Sequence, residues 1–78
     1  MGTREHWWNG LFGPQAKQDI YVRRQGGRWT VEHRRRDISR LWHCDSEGHA
    51  RSIVEGLRAA GPGHWREVRE EPGSAEAR

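Results

Sequence analysis

The stretch Asp19-Ile20-Tyr21-Val22-Arg23-Arg24-Gln25-Gly26-Gly27-Arg28-Trp29-Thr30-Val31-Glu32-His33-Arg34 decides the fold. From Asp19 to Gln25 the side chains alternate. Ile20 and Val22 fall on one face, Tyr21 and Arg23 on the other, which is the period of a half-buried strand. Gly26 and Gly27 then offer two consecutive positions that tolerate positive φ, the signal for a tight hairpin. Arg28 to Arg34 alternates again. Trp29, Val31 and His33 share one side, and Arg28, Thr30, Glu32 and Arg34 share the other.

Working outward, Arg35-Arg36-Asp37 reads as a polar turn. Ile38 to Cys44 reads as a third strand, with Trp42 and Cys44 on one face and Leu41 and His43 on the other. Asp45 or Ser46 is placed to cap a helix. Its apolar positions Ala50, Ile53, Val54, Leu57 and Ala60 make one helical stripe. Gly61 is expected to end it in a left-handed conformation, with Pro62 preventing continuation. The predicted fold is α+β: a three-stranded antiparallel sheet packed on one α-helix, with a short extra C-terminal strand considered over His64 to Val68. Ile20, Val22, Trp29, Val31, Trp42 and Cys44 would face Ala50, Ile53, Val54 and Leu57 in a two-layer core.

The flanks carry no such period. Residues 1–18 read as an irregular aromatic arm, interrupted by Gly10, Gly13 and Pro14 and containing Trp7-Trp8-Asn9-Gly10-Leu11-Phe12. Residues 19–69 are the sheet-plus-helix domain. Residues 70–78 are small, charged and broken by Pro72 and Gly73, and are expected to be a disordered tail.

A chain of 78 residues makes one small domain at most. Its single cysteine, Cys44, excludes an internal disulfide and fits a reducing compartment. No leader peptide is read at the N-terminus, and no stretch approaches the roughly 20 apolar residues of a membrane helix. A cytoplasmic location is expected. Charge is uneven: between Val22 and Arg40 lie Arg23, Arg24, Arg28, Arg34, Arg35, Arg36 and Arg40, against Glu32 and Asp37, while Glu67, Glu70, Glu71 and Glu76 make the C-terminal end acidic. Lys17 is the only lysine. Arginine suits two-pronged contacts to phosphate and guanine, but a GC-rich coding sequence produces the same bias.

The pattern Tyr21-Val22, Gly27, Trp29, Val31, then Cys44-Asp45-Ser46, Ala50 and Val54 resembles two kinds of small bacterial domain. One is the arm-type DNA-binding domain of tyrosine recombinases, a three-stranded sheet backed by one helix. The other is a group of short stand-alone ββα domains of unknown function. The resemblance runs from about Ile20 to Ala60. Cys44 stands where a Phe-like residue is usual, and the tryptophan-rich arm is an addition. The resemblance implies the fold and a DNA-binding use of the sheet; the recombinase's catalytic role is not carried over.

Two functional readings follow. In the first, Tyr21, Arg23, Arg28, Arg34, Arg35 and Arg36 bind nucleic acid, DNA first, from the open sheet face and the arginine turn. Glu32 stands in the middle of that face and would repel phosphate, so a merely solvated charged face is the competing reading. In the second, Trp7, Trp8, Leu11 and Phe12 anchor a protein partner or a second copy. The competing reading there is that the arm covers the open sheet face of its own domain. His33, His43, Cys44 and His49 match no metal-ligand spacing, and alternation sends His43 and Cys44 to opposite faces. No catalytic motif, cofactor, metal, membrane contact or small-molecule substrate is expected.

Overall fold

The computed structural model describes residues 3–68, in the order β1 (Thr3–Trp8), β2 (Gln18–Gln25), β3 (Arg28–Arg35), β4 (Ile38–Cys44), α1 (Glu47–Ala60) and β5 (Arg66–Glu67). The expected tail over residues 70–78 lies outside the described residues. Gly26 and Gly27 hold φ of 59° and 81°. Both are left-handed, as the tightest hairpin turn requires. The β2–β3 ladder runs without interruption from Gln18–Arg35 to Gln25–Arg28, and the β3–β4 ladder from Trp29–Cys44 to Arg35–Ile38.

The expectation of three strands is corrected. The fold is α+β as read, but the sheet is five-stranded and antiparallel, in the order β4-β3-β2-β1-β5. The segment read as an irregular arm supplies β1, which pairs with β2 from Thr3–Arg24 to Trp8–Asp19. After the helix, β5 returns to the outer edge of β1 through Trp7–Glu67 and Trp8–Arg66. The physical reason β1 escapes its sequence pattern lies at Glu5. It sits opposite Val22 on the helix-facing side, where an apolar residue would normally mark a strand. Arg51 of α1 meets that carboxylate with both terminal nitrogens, so a charge is accommodated at an inward position. The bond pattern holds the Glu5 carboxyl below its ordinary range and the Arg51 guanidinium above its own.

The loop from β1 to β2 is built around a fully buried Asn9. Its Nδ2 donates to the Ala16 carbonyl at 2.9 Å, and its Oδ1 accepts from the backbone N–H of Gln18 at 3.0 Å and Leu11 at 3.3 Å. A buried amide is tolerated only when its donors and acceptors are met in this way.

Ser46 caps α1, accepting from the His49 N–H at 3.1 Å. The helix ends differently from expectation. Gly61 is extended, with φ −86°, and donates its N–H to the Leu57 carbonyl at 2.9 Å. Glycine is needed there for space, because a Cβ would come within 2.9 Å of the Trp65 ring. The left-handed residue is Gly63, at φ 91°, where a Cβ would collide with the Asn9 carbonyl.

The core has the composition expected of it. Ile20, Val22, Val31 and Cys44 from the sheet meet Ala50 and Val54 of the helix, all buried. Trp7, Trp29, Trp42 and Trp65 close around this small aliphatic centre with Ile53 and Leu57. Large rings at the rim let a short chain remove much apolar surface with few residues.

Candidate nucleic-acid interface

The open face of the sheet carries three cross-strand rows: Trp8, Asp19, Arg34 and Ser39; His6, Tyr21, Glu32 and Leu41; Arg4, Arg23, Thr30 and His43. Its side-chain placement follows the alternation. Its chemistry departs from expectation, because the charges are spent on one another. Glu32 accepts from Arg34 Nε at 2.8 Å, from Ser39 Oγ at 2.7 Å and from Arg23 Nη1 at 3.0 Å. Those bonds, with Arg34 first, lower its carboxyl to about 2. The guanidinium carbons of Arg23 and Arg34 stand 5.2 and 4.9 Å from the centre of the Tyr21 ring. His6 stacks on Tyr21 at 4.3 Å, and its Nε2 is 2.7 Å from the Asp19 carboxylate, which Lys17 also approaches at 3.5 Å.

Other arginines are occupied by aromatic rings. Arg58 lies 4.1 Å from the centre of Trp7, Arg66 lies 5.6 Å from Trp8, and Arg24 lies 5.8 Å from Trp29. Much of the arginine content therefore serves as lids on tryptophans and as partners to the half-buried carboxylates Glu5 and Glu32.

What remains is localised. The side chains of Arg28, Arg35, Arg36 and Arg40 make no ion pair, hydrogen bond or aromatic contact among the described residues. Arg28 sits at the β2–β3 turn. Arg35, Arg36 and Arg40 gather at the opposite end of the sheet, about 24 Å away along β3 at the rise of a strand. The expected set of Tyr21, Arg23, Arg28, Arg34, Arg35 and Arg36 is thus not one patch. Tyr21, Arg23 and Arg34 form the ion-paired centre, Arg28 stands at one end, and Arg35 and Arg36 at the other. Arg40 lies outside that set. Its signal is in the register, since it pairs with His33 across β3–β4 and so neighbours Arg35 on the helix side.

At this end a cleft of about 370 Å³ opens between the sheet and the end of α1, with Arg35, Arg40, His33, Ile38, Trp42 and Leu57 among its walls. His33 Nε2 and Gln18 Oε1 are hydrogen-bonded at 3.0 Å, the imidazole N–H donating. Burial first, and then the charges of Arg35 and Arg40, hold His33 below its ordinary pKa.

The aromatic segment divides between the faces. Trp7 lies on the helix side and packs on the core. Trp8 lies on the open side at the edge, where its Nε1 donates to the Leu11 carbonyl at 2.9 Å. Phe12 meets Trp8 edge-on at 5.0 Å and stays 80% exposed. The arm reaches the open face through His6, which stacks on Tyr21, and through Trp8 at its edge. His43 is exposed on the open face and Cys44 is buried in the core. Burial raises the Cys44 thiol pKa, and Asp45 adds to the shift. Among the described residues no three His, Cys, Asp or Glu side chains are grouped as a metal would need, and no helix is long and apolar enough to cross a membrane. Comparison with known protein families, curated proteins and solved structures gives no match.

Proposed function

We propose that this domain binds nucleic acid through the β3–β4 hairpin end, with Arg35, Arg36 and Arg40 as the phosphate contacts. The observation that carries the reading is the separation of arginines into two populations. Arg23 and Arg34 of the open face are held by Glu32 and Tyr21, whereas the side chains of Arg35, Arg36 and Arg40 have no counter-ion among the described residues. Arginine without an internal partner loses little when it turns to a phosphate. Trp42 in the adjacent cleft adds an aromatic surface of the kind on which an unpaired base stacks. The resemblance to arm-type DNA-binding domains favours DNA as the first ligand to try. The lone, buried thiol suits action in the cytoplasm.

Fluorescence anisotropy with a labelled random duplex and a labelled single strand, at low and moderate salt, tests this directly. Affinity is expected to fall steeply with salt. Arg35→Ala, Arg36→Ala and Arg40→Ala combined should remove about 2.7 units of the salt slope on duplex, while Arg23→Ala changes it little. Absence of binding at low salt, or a triple variant that binds as before, overturns the reading.

A second reading keeps the aromatic segment as a protein-binding surface. Phe12 favours it, being a large ring left 80% exposed beside Trp8. Phe12→Ser should then abolish capture of a partner without changing the fold; Trp7 and Leu11 would contribute only through packing.

A further inference from the structure

The sheet has two edges, and they are finished differently. On one side β5 ends the sheet with two residues, Arg66 and Glu67, short and charged. β5 pairs with β1 only at Trp7 and Trp8, and the remainder of that edge is short and carries Arg4 and Glu5, which blunts it. On the other side β4 runs seven residues with an unbroken ladder to β3 and, among the described residues, nothing beyond it. It contains no proline and only one arginine, Arg40. Ile38 and Leu41 are 51% and 54% exposed, and with Phe12 they are the large apolar side chains left open among the described residues. An edge of this length and composition is a template for another strand.

We infer that β4 pairs antiparallel with β4 of a second copy about a two-fold axis at Leu41, joining two sheets into one. The register follows from backbone geometry. The β3–β4 turn has two residues, Arg36 and Asp37, so Arg35 and Ile38 form its hydrogen-bonded closing pair. Alternate residues then turn their N–H and C=O outward, and these are Ser39, Leu41 and His43. Centring on Leu41 sets Leu41 against its own copy and Ser39 against His43 on the open face. On the helix face it sets Arg40 beside the partner's Trp42, and Ile38 beside the partner's Cys44. Each arginine meets a ring and not another arginine. Centring on Ser39 would set Leu41 against Asp37, and centring on His43 would set Leu41 against Asp45; neither puts apolar against apolar. The antiparallel arrangement also sends the two basic turns to opposite ends, each toward the other copy's Asp45 and Glu47. The like-charge apposition of Asp37 and Asp45 falls beyond the strand ends, where both are exposed. This inference rests on the open edge and not on the nucleic-acid reading, but it engages Arg40 and Trp42, so nucleic acid at the hairpin end would compete with the second copy.

Analytical ultracentrifugation of the full chain over a wide concentration range is the test. The expected result is a monomer–dimer equilibrium in the micromolar range, since edge pairing alone covers less area than a standard interface. Leu41→Lys sets two ammonium groups across the axis and should weaken association at least about tenfold. Leu41→Pro removes an outward N–H that the fold of one copy does not use, and should have the same effect with an unchanged far-ultraviolet spectrum. Leu41→Cys should give a covalent dimer on mild oxidation, because the paired Cα atoms would stand about 5.5 Å apart. A monomer at every concentration overturns the inference, as does an oligomer that survives both Leu41→Lys and Leu41→Pro.

Discussion

Replacing Glu32 by glutamine removes one negative charge from the middle of the open face and keeps its shape and acceptor oxygen. The wild-type carboxyl titrates at about 2 in the folded chain, against 4.5 for an ordinary glutamate. At about 1.36 kcal/mol per unit this gap sets a ceiling near 3 kcal/mol at neutral pH. Its partners Arg34 and Arg23 are 53% and 38% exposed, and solvent screening of such pairs reduces the expected loss to about 1–2 kcal/mol. The pH dependence has a definite sign. Between pH of about 5 and 2 the unfolded glutamate holds its proton while the folded one does not, so this stability is present at neutral pH and is lost on acidification. Urea unfolding followed by tryptophan fluorescence at about pH 7, 4 and 3 should show a difference between Glu32→Gln and wild type that shrinks as the pH falls. Glu5 shifts in the same direction but is common to both proteins, so the difference isolates Glu32. A difference that stays constant down to about pH 3, or none at neutral pH, refutes the argument that the charge of Glu32 holds Arg23 and Arg34. The same variant frees those arginines, so its nucleic-acid affinity should rise and its salt slope steepen by up to about 2 units.

Asn9→Ala should cost about 2–4 kcal/mol, because one backbone carbonyl and two N–H groups lose a buried partner together; a loss below about 1 kcal/mol by urea unfolding would show that water replaces the amide. Arg36 occupies the first position of the β3–β4 turn at φ 55°, where glycine is favoured, so Arg36→Gly should raise stability by about 0.5–1 kcal/mol while lowering the salt slope of binding by about 1 unit. A chain starting at Pro14 lacks β1, with Trp7 and the Glu5–Arg51 pair, and is expected to lose its cooperative thermal transition; a sharp transition near the wild-type temperature would mean that β1 is dispensable to the sheet.

The central hairpin and the helix are legible because their periods are strict. Ile20 and Val22, Trp29 and Val31, and Trp42 and Cys44 alternate with polar residues, and Gly26-Gly27 pins the register between the first two of these strands. β1 is not legible because one inward position holds Glu5, whose partner lies 46 residues away. Local pattern carries no information about a compensating charge so distant in sequence. β5 falls within the short strand read over His64 to Val68, but two paired residues carry too little period to fix its bounds or its place beside β1. Gly61 and Gly63 exchange roles because both satisfy the sequence rule for a helix end, and only the position of Trp65 and of the Asn9 carbonyl distinguishes them. The site divides likewise. That Glu32 shares a face with Arg23 and Arg34 can be read from alternation. That it takes both of them, leaving Arg35, Arg36 and Arg40 uncompensated, depends on side-chain reach across three strands.

That division bears on how arginine content should be read in a small domain. A guanidinium can neutralise an inward carboxylate, cover a tryptophan or meet a phosphate, and the sequence alone weights these equally. Here Arg51 takes the first role, and Arg24, Arg58 and Arg66 take the second. Arg23 and Arg34 pair with a carboxylate and an aromatic ring at once, through Glu32 and Tyr21. Each such use lowers the free energy of the folded chain, and each would have to be broken before that arginine could serve a ligand. The binding surface of highest expected gain is therefore where arginines lack an internal use, not where they are most numerous on a face. By that criterion the hairpin end outranks the open sheet, and the ordering inverts only if Glu32 is removed.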